Sequence, residues 1–421
     1  MATGTALGLT GRDSASEGPD PFELFDRSTG ADSCRNPYPE FADARRRGAV
    51  QRLEPSARAL GEFERMLVGE REHYAVYSHE AVSQVLRDGK HFSSGMYKDS
   101  IGVVMGPTIL VMDEPEHGRY RGLIQMAFTK KEIDYWEHEL VRPIVNGLVD
   151  RFAGRGRAEL VRELTFPFPV HVIAGMLGLP AEDLPRFHRW AVELISVGFD
   201  PPTGLAASRA LAEYLTPKIE ARRKRPGRDL ISVLAQAELD GNRLDDEHIL
   251  GFLRLLLPAG AETTYRSSSN LLFGLLTHPD QLERLDRDRS LMDAAIEEGL
   301  RWEAPLTGIS RLCSEETEVC GTRIPAGALV HVELGSANHD ETRYERAEEF
   351  DIARPARQHM AFAFGPHRCL GMHLARMETQ VALEVLLDRL TGMRLDPDAE
   401  DVHITGRGFR APRSLPVLFD R

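Results

Sequence analysis

The spacing of apolar residues predicts that most of the middle of the chain is helical. Between Glu116 and Leu300 apolar positions recur mainly at intervals of three and four residues, the period of an amphipathic helix. The individual candidate helices are Asp183–Phe199, Gly204–Arg225, about Asp245–Leu276 and Leu370–Leu390. The first two are joined near Asp200-Pro201-Pro202. Long helices therefore account for most of the predicted structure.

Short strands are predicted on either side of this helical region. The candidates are Ala49–Leu53, Glu72–Tyr77, a hairpin over Val319–Val332 that turns at Pro325-Ala326-Gly327, and short strands within Val402–Phe419. Ser78 is a candidate N-cap for a helix from His79 to Leu86. Lys90–Pro107 contains glycine without periodicity and is predicted to be a loop. The fold class expected is mostly α with a small β-rich lobe.

Composition excludes several classes of protein. The net charge of −13 argues against broad nucleic-acid binding. No apolar run reaches the roughly 18 residues needed to cross a bilayer, and no secretion signal is found, so we expect a cytoplasmic protein without a membrane anchor. The cysteines, at positions 34, 313, 320 and 369, have neither metal-site nor disulfide-framework spacing. Residues 1–18 are rich in small polar residues and are expected to form a mobile tail.

Cys369 lies in a glycine-bounded loop directly before a predicted helix. The loop reads Phe362-Ala-Phe-Gly365-Pro-His367-Arg-Cys369-Leu-Gly371. Gly365 and Gly371 allow a tight turn and a close approach of the backbone. The following helix would direct its free N–H groups and its positive end at the sulfur, which favours a thiolate. A lone cysteine is more often a buried free thiol, so the loop pattern as a whole carries the prediction of a metal ligand.

A second motif lies within the long apolar helix. Pro258 and Gly260 are poor residues for a helix interior, costing about 3 and about 1 kcal/mol relative to alanine. Glu262, Thr263 and Thr264 follow in an apolar context. A helix that tolerates these residues is predicted to be distorted for a functional reason. The alternative is that both threonines bond back to carbonyls of their own helix.

Together these motifs resemble the signature of the cytochrome P450 superfamily. The resemblance implies that Cys369 is the proximal thiolate ligand of haem b, that Phe362 packs beside the sulfur, and that His367 binds a haem propionate. Ala259 and Gly260 match the part of the family's central helix where O₂ lies above the haem. Glu262 and Thr263 match the acid–alcohol pair that supplies protons during oxygen activation.

Further segments match the family's propionate clamps and its structural ion pairs. His117 and Arg121 stand one helical turn apart, and Arg311 matches another propionate-binding position. The alternative for each is a solvated surface cation. Glu298 and Arg301, about seventy residues before Cys369, together with Arg354, resemble the family's buried lock that retains the fold and the haem. Alone, a Glu-x-x-Arg pair is weak evidence, because any surface helix can carry one.

The resemblance extends over nearly the whole chain. It runs from about Asn36-Pro37-Tyr38-Pro39 to Pro416-Val417-Leu418 and implies one haem domain over residues 19–421. In this fold the haem lies between the central oxygen-binding helix and the helix that follows the cysteine loop. The positions that match the family's substrate pocket are Leu256, Leu257, Leu306, Ile309 and Phe409. Each of these could equally belong to the core, and together they imply a medium-sized hydrophobic substrate.

The function implied is a haem-thiolate monooxygenase that inserts one oxygen atom from O₂ into a C–H bond. The chain shows neither a flavin or nicotinamide module nor an iron–sulfur cluster motif, so electrons are expected from a 2Fe–2S ferredoxin and its NAD(P)H-dependent reductase. Lys130, Lys131, Arg368 and Arg376 are candidates for its docking site. The alternatives are a peroxide-driven enzyme, a C–C coupling enzyme and a non-enzymatic haem sensor. The sequence leaves the substrate, the position oxidised and the oligomeric state open.

Overall fold

The computed structural model describes residues 34–54, 71–195 and 200–420. The predicted mobile tail, residues 1–18, and the last four residues of the predicted helix 183–199 lie outside these ranges. The helices are α1 Tyr38–Arg47, α2 His79–Arg87, α3 Ile101–Met105, α4 Glu116–Gln125, α5 Lys130–Trp136, α6 Arg142–Asp150, α7 Pro167–Met176, α8 Leu184–Ile195, α9 Pro201–Lys224, α10 Leu230–Gln236, α11 Asp246–Thr277, α12 Pro279–Arg287, α13 Met292–Trp302, α14 Leu334–Asn338 and α15 Met372–Arg389.

Short strands form several small sheets. The strands are β1 Val50–Leu53, β2 His73–Val76, β3 Phe92–Ser93, β4 Arg157–Glu159, β5 Glu238–Leu239, β6 Asn242–Arg243, β7 Ile309–Cys313, β8 Thr317–Val319, β9 Thr322–Ile324, β10 Leu329–Val332, β11 Arg394–Leu395, β12 Ile404–Thr405, β13 Ala411–Pro412 and β14 Pro416–Leu418. The largest sheet has the order β1-β2-β10-β7-β3, in which only β2 and β10 run parallel. Long helices with small sheets confirm the predicted fold class.

The helix α11 runs through the middle of the helical part. It continues without interruption past Pro258, and every residue from Thr264 to Leu272 is buried. A helix that is buried all round must be covered by other elements on every side. It packs against α7, α8, α9, α13 and α15. This central position brings α11 into contact with α15, the helix that begins three residues after Cys369.

Helix ends follow the capping residues that the sequence offers. The Ser78 hydroxyl accepts from the Ala81 amide at 3.2 Å, which confirms the predicted cap of α2. Asp200 caps α9 in the same way, accepting from the Thr203 amide at 3.2 Å. The segment Asp200-Pro201-Pro202 is therefore the start of a helix, and α9 begins three residues earlier than the predicted Gly204. Proline fits there because the first turn needs no N–H donor.

Two local predictions were wrong. Lys90–Pro107 is no loop, because it contains β3, a 3₁₀ turn over Gly95–Asp99 and α3. The hairpin predicted to turn at Pro325-Ala326-Gly327 does not form, since β9 pairs with β8 whereas β10 joins the five-stranded sheet. None of the helices in the described ranges combines the length and apolarity that a bilayer crossing requires.

Candidate functional site

The loop before Cys369 is fixed by close contact with the end of α2. Gly365 has φ +71°, and a Cβ atom placed there would lie 2.0 Å from the carbonyl oxygen of Leu86. The Cys369 amide donates to the Phe362 carbonyl at 2.9 Å, which closes the loop. Glycine is therefore required at position 365 both by the backbone conformation and by the lack of space.

Cys369 keeps solvent-accessible surface although it lies deep within the protein. Burial raises the pKa of its thiol, while the Gly371 amide and the cations Arg121, Arg376 and Arg368 lower it only in part. The Gly371 amide thus favours the thiolate as predicted, but desolvation of a buried charge imposes the larger penalty. A bound metal ion overcomes this penalty, since a coordinated thiol is deprotonated outright.

Gly371 and Phe362 border the sulfur in different ways. Gly371 has φ −83°, and a Cβ atom there would have no protein atom within 4 Å. Its role in the turn was therefore predicted wrongly: glycine at this position leaves space open beside Cys369. Phe362 is partly buried, and the Arg376 guanidinium lies over its ring, 4.6 Å from the ring centre. Gly371 therefore leaves a recess open next to Cys369.

Four basic side chains come together beside this recess. The rings of His117 and His367 lie 4.0 Å apart. Glu114 binds the outer nitrogen of His117, Nδ1, at 2.9 Å. The other nitrogen, Nε2, is buried and has no hydrogen-bond partner among the described residues. A buried imidazole nitrogen normally has a partner, so this atom is directed at a group that the protein itself does not supply.

Arg121 and Arg311 complete this basic cluster of His117, Arg121, Arg311 and His367. Each arginine donates to a backbone carbonyl, that of Arg368 at 2.7 Å and that of Ser310 at 2.8 Å respectively. Within the described ranges neither forms an ion pair with a carboxylate. Burial, with repulsion from the other three, lowers the pKa of His367 to about 3. The cluster is therefore suited to binding external anions such as carboxylates.

In the central helix, Leu255, Ala259 and Thr263 keep accessible surface, as do Arg254, Pro258 and Gly260, whereas Thr264 to Leu272 are buried. The spacing of four residues places Leu255, Ala259 and Thr263 on one face. The Thr263 hydroxyl donates to the Ala259 carbonyl at 2.7 Å, the backbone bond that the sequence left open as an alternative. The cofactor contact predicted for Gly260 stays a prediction, and a Cβ atom there would face α7 and lie 3.1 Å from Ile173.

Glu262 projects to a different side of α11 from Thr263. It is buried, and Arg266, one turn later, lies 3.3 Å from its carboxylate. Burial raises the pKa of Glu262 to about 7, although the charge of Arg266 opposes the rise. Arg266 was not among the predicted site residues, although a cation four residues after an acid on one helix is a signal of such a pair. The pair leaves a carboxyl group that can gain or lose a proton near neutral pH.

Glu298, Arg301 and Arg354 are brought together as a buried ion-pair lock. Arg301 binds both carboxylate oxygens of Glu298 at 2.7 Å, and Arg354 binds the same oxygens at 3.2 Å. Arg301 also donates to the carbonyls of Asn338, Ala347 and Glu349. The lock therefore fixes α13 to the irregular chain that precedes the cysteine loop.

Glu297, next to Glu298, joins α13 to His359 in the irregular segment before the cysteine loop and to Arg376 of α15. It receives a bidentate pair from Arg376 at 2.6 and 2.9 Å, and His359 lies 3.3 Å away. Burial would raise the pKa of Glu297, but the hydrogen bonds from His359 and Arg376 lower it to about 2. The sequence analysis placed Arg376 in a docking surface for an electron donor, whereas the structure shows its charge matched by Glu297.

The predicted substrate-pocket residues do not form one set. Leu306 and Phe409 pair through an isolated antiparallel bridge, and both keep partial exposure. Leu256 is nearly buried, and Ile309 packs against the core of the five-stranded sheet. Leu257 is completely buried, so its assignment to the pocket was wrong and it belongs to the core. Leu306 and Phe409 are the better candidates for substrate contact.

Comparison with known proteins places these features in a family. The sequence model of cytochrome P450 matches residues 205–404. The chain is 34% identical to the cytochrome P450 monooxygenase PikC of Streptomyces venezuelae over 401 residues, which is 93% of either chain. It is 35% identical to the steroid C26-monooxygenase of Mycobacterium tuberculosis over 354 residues, covering 82% of this chain and 94% of that one.

A solved structure agrees with the sequence comparison. The crystal structure of CYP109E1 from Bacillus megaterium in complex with testosterone superposes with a TM-score of 0.81 at 33% identity. The match covers 92% of this chain and all of that one.

Proposed function

This chain belongs to the cytochrome P450 family of haem-b monooxygenases, and we propose that it oxidises a medium-sized hydrophobic molecule with electrons from an external ferredoxin. The observation that carries the proposal is the partly buried basic cluster beside Cys369. Among the described residues, the only carboxylate that pairs with these four side chains is that of Glu114, which binds Nδ1 of His117. Such a cluster fits the acidic edge of haem, and the nearby sulfur fits its iron.

The cysteine loop and the basic cluster would have separate parts in holding the cofactor. Cys369 would ligate the iron. Phe362, whose ring contacts Arg376, would pack beside the sulfur. His117 Nε2, Arg121, Arg311 and His367 would bind the propionates. Gly371 leaves the recess open because it has no side chain. When bound, haem supplies the chemistry, which is activation of O₂ by two electrons and transfer of one oxygen atom to a C–H bond.

Glu262 and Thr263 would control proton supply to the accessible face of α11. A carboxyl group with a pKa of about 7 can donate a proton and recover it from solvent at neutral pH. The Thr263 hydroxyl uses its hydrogen on Ala259, so its oxygen remains able to accept a hydrogen bond. Because the two side chains leave the helix in different directions, we expect water to connect them.

The pocket would be apolar, with Leu306 and Phe409 on one side and Leu256 on α11. Both residues of the first pair are apolar and partly exposed, which favours contact with a hydrophobic molecule. One relative is named for steroid oxidation, and the solved structure of another holds testosterone. A substrate of about that size is consistent with these features.

The electron donor would approach the side of the protein that carries the cysteine loop. Lys130 is engaged by Asp134 at 2.9 Å and Arg376 by Glu297, which leaves Arg368 and Lys131 as the better candidates for docking. On the same side, Arg87 is exposed and lies over Phe364 of the cysteine loop at 4.7 Å. These cations fit an acidic ferredoxin.

Reconstituted turnover tests the proposal against its alternatives. The haem-loaded protein is incubated with a hydrophobic compound that shifts its Soret band, a 2Fe–2S ferredoxin, the reductase and NADPH, with and without catalase. We expect oxygenated product that depends on O₂ and is unaffected by catalase. Product that disappears with catalase indicates the peroxide-driven alternative, coupled products without oxygen insertion indicate the C–C coupling enzyme, and absence of any product contradicts the proposal.

A further inference from the structure

A small cavity lies between α7, α8 and α11, beside the carboxyl group of Glu262. Glu262 of α11 and His188 of α8 both line it. Apart from the Tyr265 side chain, the rest of its described lining is apolar and includes Val170 of α7 and Val192 of α8. Two side chains that exchange protons near neutral pH therefore face one largely apolar space.

One carboxyl oxygen of Glu262 lacks a hydrogen-bond partner at this cavity. Its Oε1 is buried and accepts no hydrogen bond from the described residues. Arg266 Nε lies 3.3 Å from it, close enough for an ion pair but without the geometry of a hydrogen bond. Where the protein supplies no partner to a buried polar atom, ordered water normally does. The cavity has room for about one water molecule, which can donate to Glu262.

His188 stands between this cavity and solvent. Its Nε2 is buried, while the residue as a whole is only half-buried. Its ring packs against that of Phe166, with 5.0 Å between the ring centres. Arg186 and Arg189 of the same helix are exposed, so this part of α8 borders solvent. An imidazole changes its charge near neutral pH, so it can take a proton from solvent and pass it inward.

The other polar groups around Glu262 are less suited to proton exchange. On α11 these are Arg266 and Tyr265, and a guanidinium and a phenol ordinarily keep their protons at neutral pH. The side chain that α7 brings to the cavity, Val170, is apolar. Among the described residues that line the cavity, His188 is therefore the one that can exchange a proton with Glu262 near pH 7.

We propose that His188 restores the proton that Glu262 gives up in each turnover, through one water molecule in the cavity. Once Glu262 has released its proton toward the accessible face of α11, the water would donate a proton to the carboxylate and take one from the His188 imidazolium. Solvent would then reprotonate His188, so each transfer moves a single proton and both groups return to their starting state. This inference rests on the proposed monooxygenase function, and in it His188 acts through Glu262.

Turnover of single and double variants tests whether His188 acts through Glu262. Product formed per electron is measured in the reconstituted system on haem-loaded wild type, His188→Gln, Glu262→Gln and the double variant. Glutamine keeps a polar side chain at position 188 but does not titrate. Arg189→Gln, at an exposed position of the same helix, is the control. Melting temperatures of the apoproteins identify any change in folding.

The yield per electron in His188→Gln should fall about tenfold or more, as expected for loss of a proton-transferring group, with hydrogen peroxide released instead. Arg189→Gln should keep the wild-type yield. The double variant should be no worse than Glu262→Gln alone, because His188 has no further effect once Glu262 cannot carry a proton. A normal yield in His188→Gln overturns the inference, and so do additive losses in the double variant, which would indicate a structural role.

A measurement on the apoprotein tests the same contact without turnover. Nuclear magnetic resonance of the imidazole rings follows the titration of His188 in wild type and in Glu262→Gln. Loss of the carboxylate should lower the pKa of His188 by about 0.5 or more, because a nearby negative charge favours the imidazolium. His248 lies fourteen residues before Glu262, roughly 21 Å along α11, and its titration should not change. An unchanged titration of His188, or an equal change at both histidines, contradicts the proposed contact.

Failure of this inference can be told apart from failure of the proposed function. If wild type forms oxygenated product and His188→Gln does so with the same yield per electron, the function stands and the role of His188 is refuted. If wild type yields no oxygenated product with any compound, the function itself is refuted.

Discussion

Glu378 is a buried carboxyl group on α15 that lacks a cation partner among the described residues. Burial raises its pKa to about 8, although a hydrogen bond with the Thr264 hydroxyl opposes the rise. The group is therefore protonated in the folded protein at neutral pH, whereas in the unfolded chain it ionises near its ordinary value of 4.5. This difference links folding stability to pH.

Replacing Glu378 with glutamine should remove one component of that linkage. Between about pH 5 and pH 8 the folded state holds a proton that the unfolded chain has released, so wild type loses stability as pH rises, by at most about 1.4 kcal/mol per pH unit from this group. Glutamine does not titrate, so the free energy of unfolding of Glu378→Gln should rise relative to that of wild type as the pH increases over this range. Urea unfolding at several pH values measures the difference, and a difference independent of pH would exclude the raised pKa.

Thr263→Ala tests the proposed proton supply at the accessible face of α11. The variant should keep haem and substrate binding, because the hydroxyl bonds only to the Ala259 carbonyl in the described structure. Product formed per electron should fall by about tenfold or more, as expected for loss of a proton-transferring group, with hydrogen peroxide released instead. Thr263→Ser keeps the hydroxyl and is the matched control. Normal product yield in Thr263→Ala would remove Thr263 from the proton path.

At the scale of single residues, sequence motifs predicted the basic cluster and the lock, because key pairs in each are close together in the sequence. His117 and Arg121 stand one helical turn apart, and so do Glu298 and Arg301. The sequence could not predict that Gly260 faces α7 or that Leu257 is core, because these depend on which helix packs there. Glu378 carried no signal at all, since an acid in a helix usually faces water.

The cysteine loop packs against the end of α2. Alanine substitutions at its two glycines, Gly365 and Gly371, should have different effects on stability. Gly365→Ala places a side chain against the Leu86 carbonyl at a positive φ, so the apoprotein should lose about 1–3 kcal/mol or more of stability. Gly371→Ala meets no protein atom at an ordinary φ, so apoprotein stability should stay within about 0.5 kcal/mol.

Haem binding separates the two glycine variants further. If the space beside Gly371 receives the haem, Gly371→Ala should bind haem more weakly than wild type while folding normally as an apoprotein. Thermal unfolding of the apoproteins and haem titration give the two quantities. Unchanged haem affinity in Gly371→Ala would show that this side of the recess does not contact the cofactor.

The elements that the sequence predicted well are those decided by local patterns. The long helices α11 and α15 lie in long segments rich in apolar residues, and α2 has its serine cap. The hairpin was assigned to the wrong turn because pairing of β10 with β2 and β7 is decided by residues far away in the chain. The true turn, Cys320-Gly321, has positive φ at both residues, and a glycine at its second position is a signal that could have been used.

At the scale of the whole molecule, buried ion pairs join segments that are distant in sequence. Besides the lock, Arg410 binds both oxygens of Glu303 at 2.9 and 3.1 Å, and the Tyr38 hydroxyl donates to the same carboxylate at 2.9 Å. This cluster connects α1, the end of α13 and the chain after β12. It escaped the sequence analysis because its three members are separated by more than one hundred residues.

Breaking the lock should therefore destabilise the whole protein. Arg301→Ala leaves Glu298 buried with Arg354 as its remaining cation and removes the donor to the Asn338 and Ala347 carbonyls, so about 3–5 kcal/mol of stability should be lost. Arg287→Ala removes an exposed partner of Glu283 and should change stability by less than about 1 kcal/mol. Chemical unfolding of both variants measures the contrast, and equal effects would mean that the lock contributes no more than a surface pair.

The central claim of this account is that Cys369 ligates haem iron as a thiolate. The most direct measurement is the absorbance spectrum of the reduced, carbon-monoxide-treated protein, recorded for wild type and for Cys369→Ser after haem loading. We predict the long-wavelength Soret maximum that marks thiolate ligation in wild type and its loss in Cys369→Ser. A folded, haem-loaded wild type without that maximum, or a serine variant that keeps it, would contradict the account.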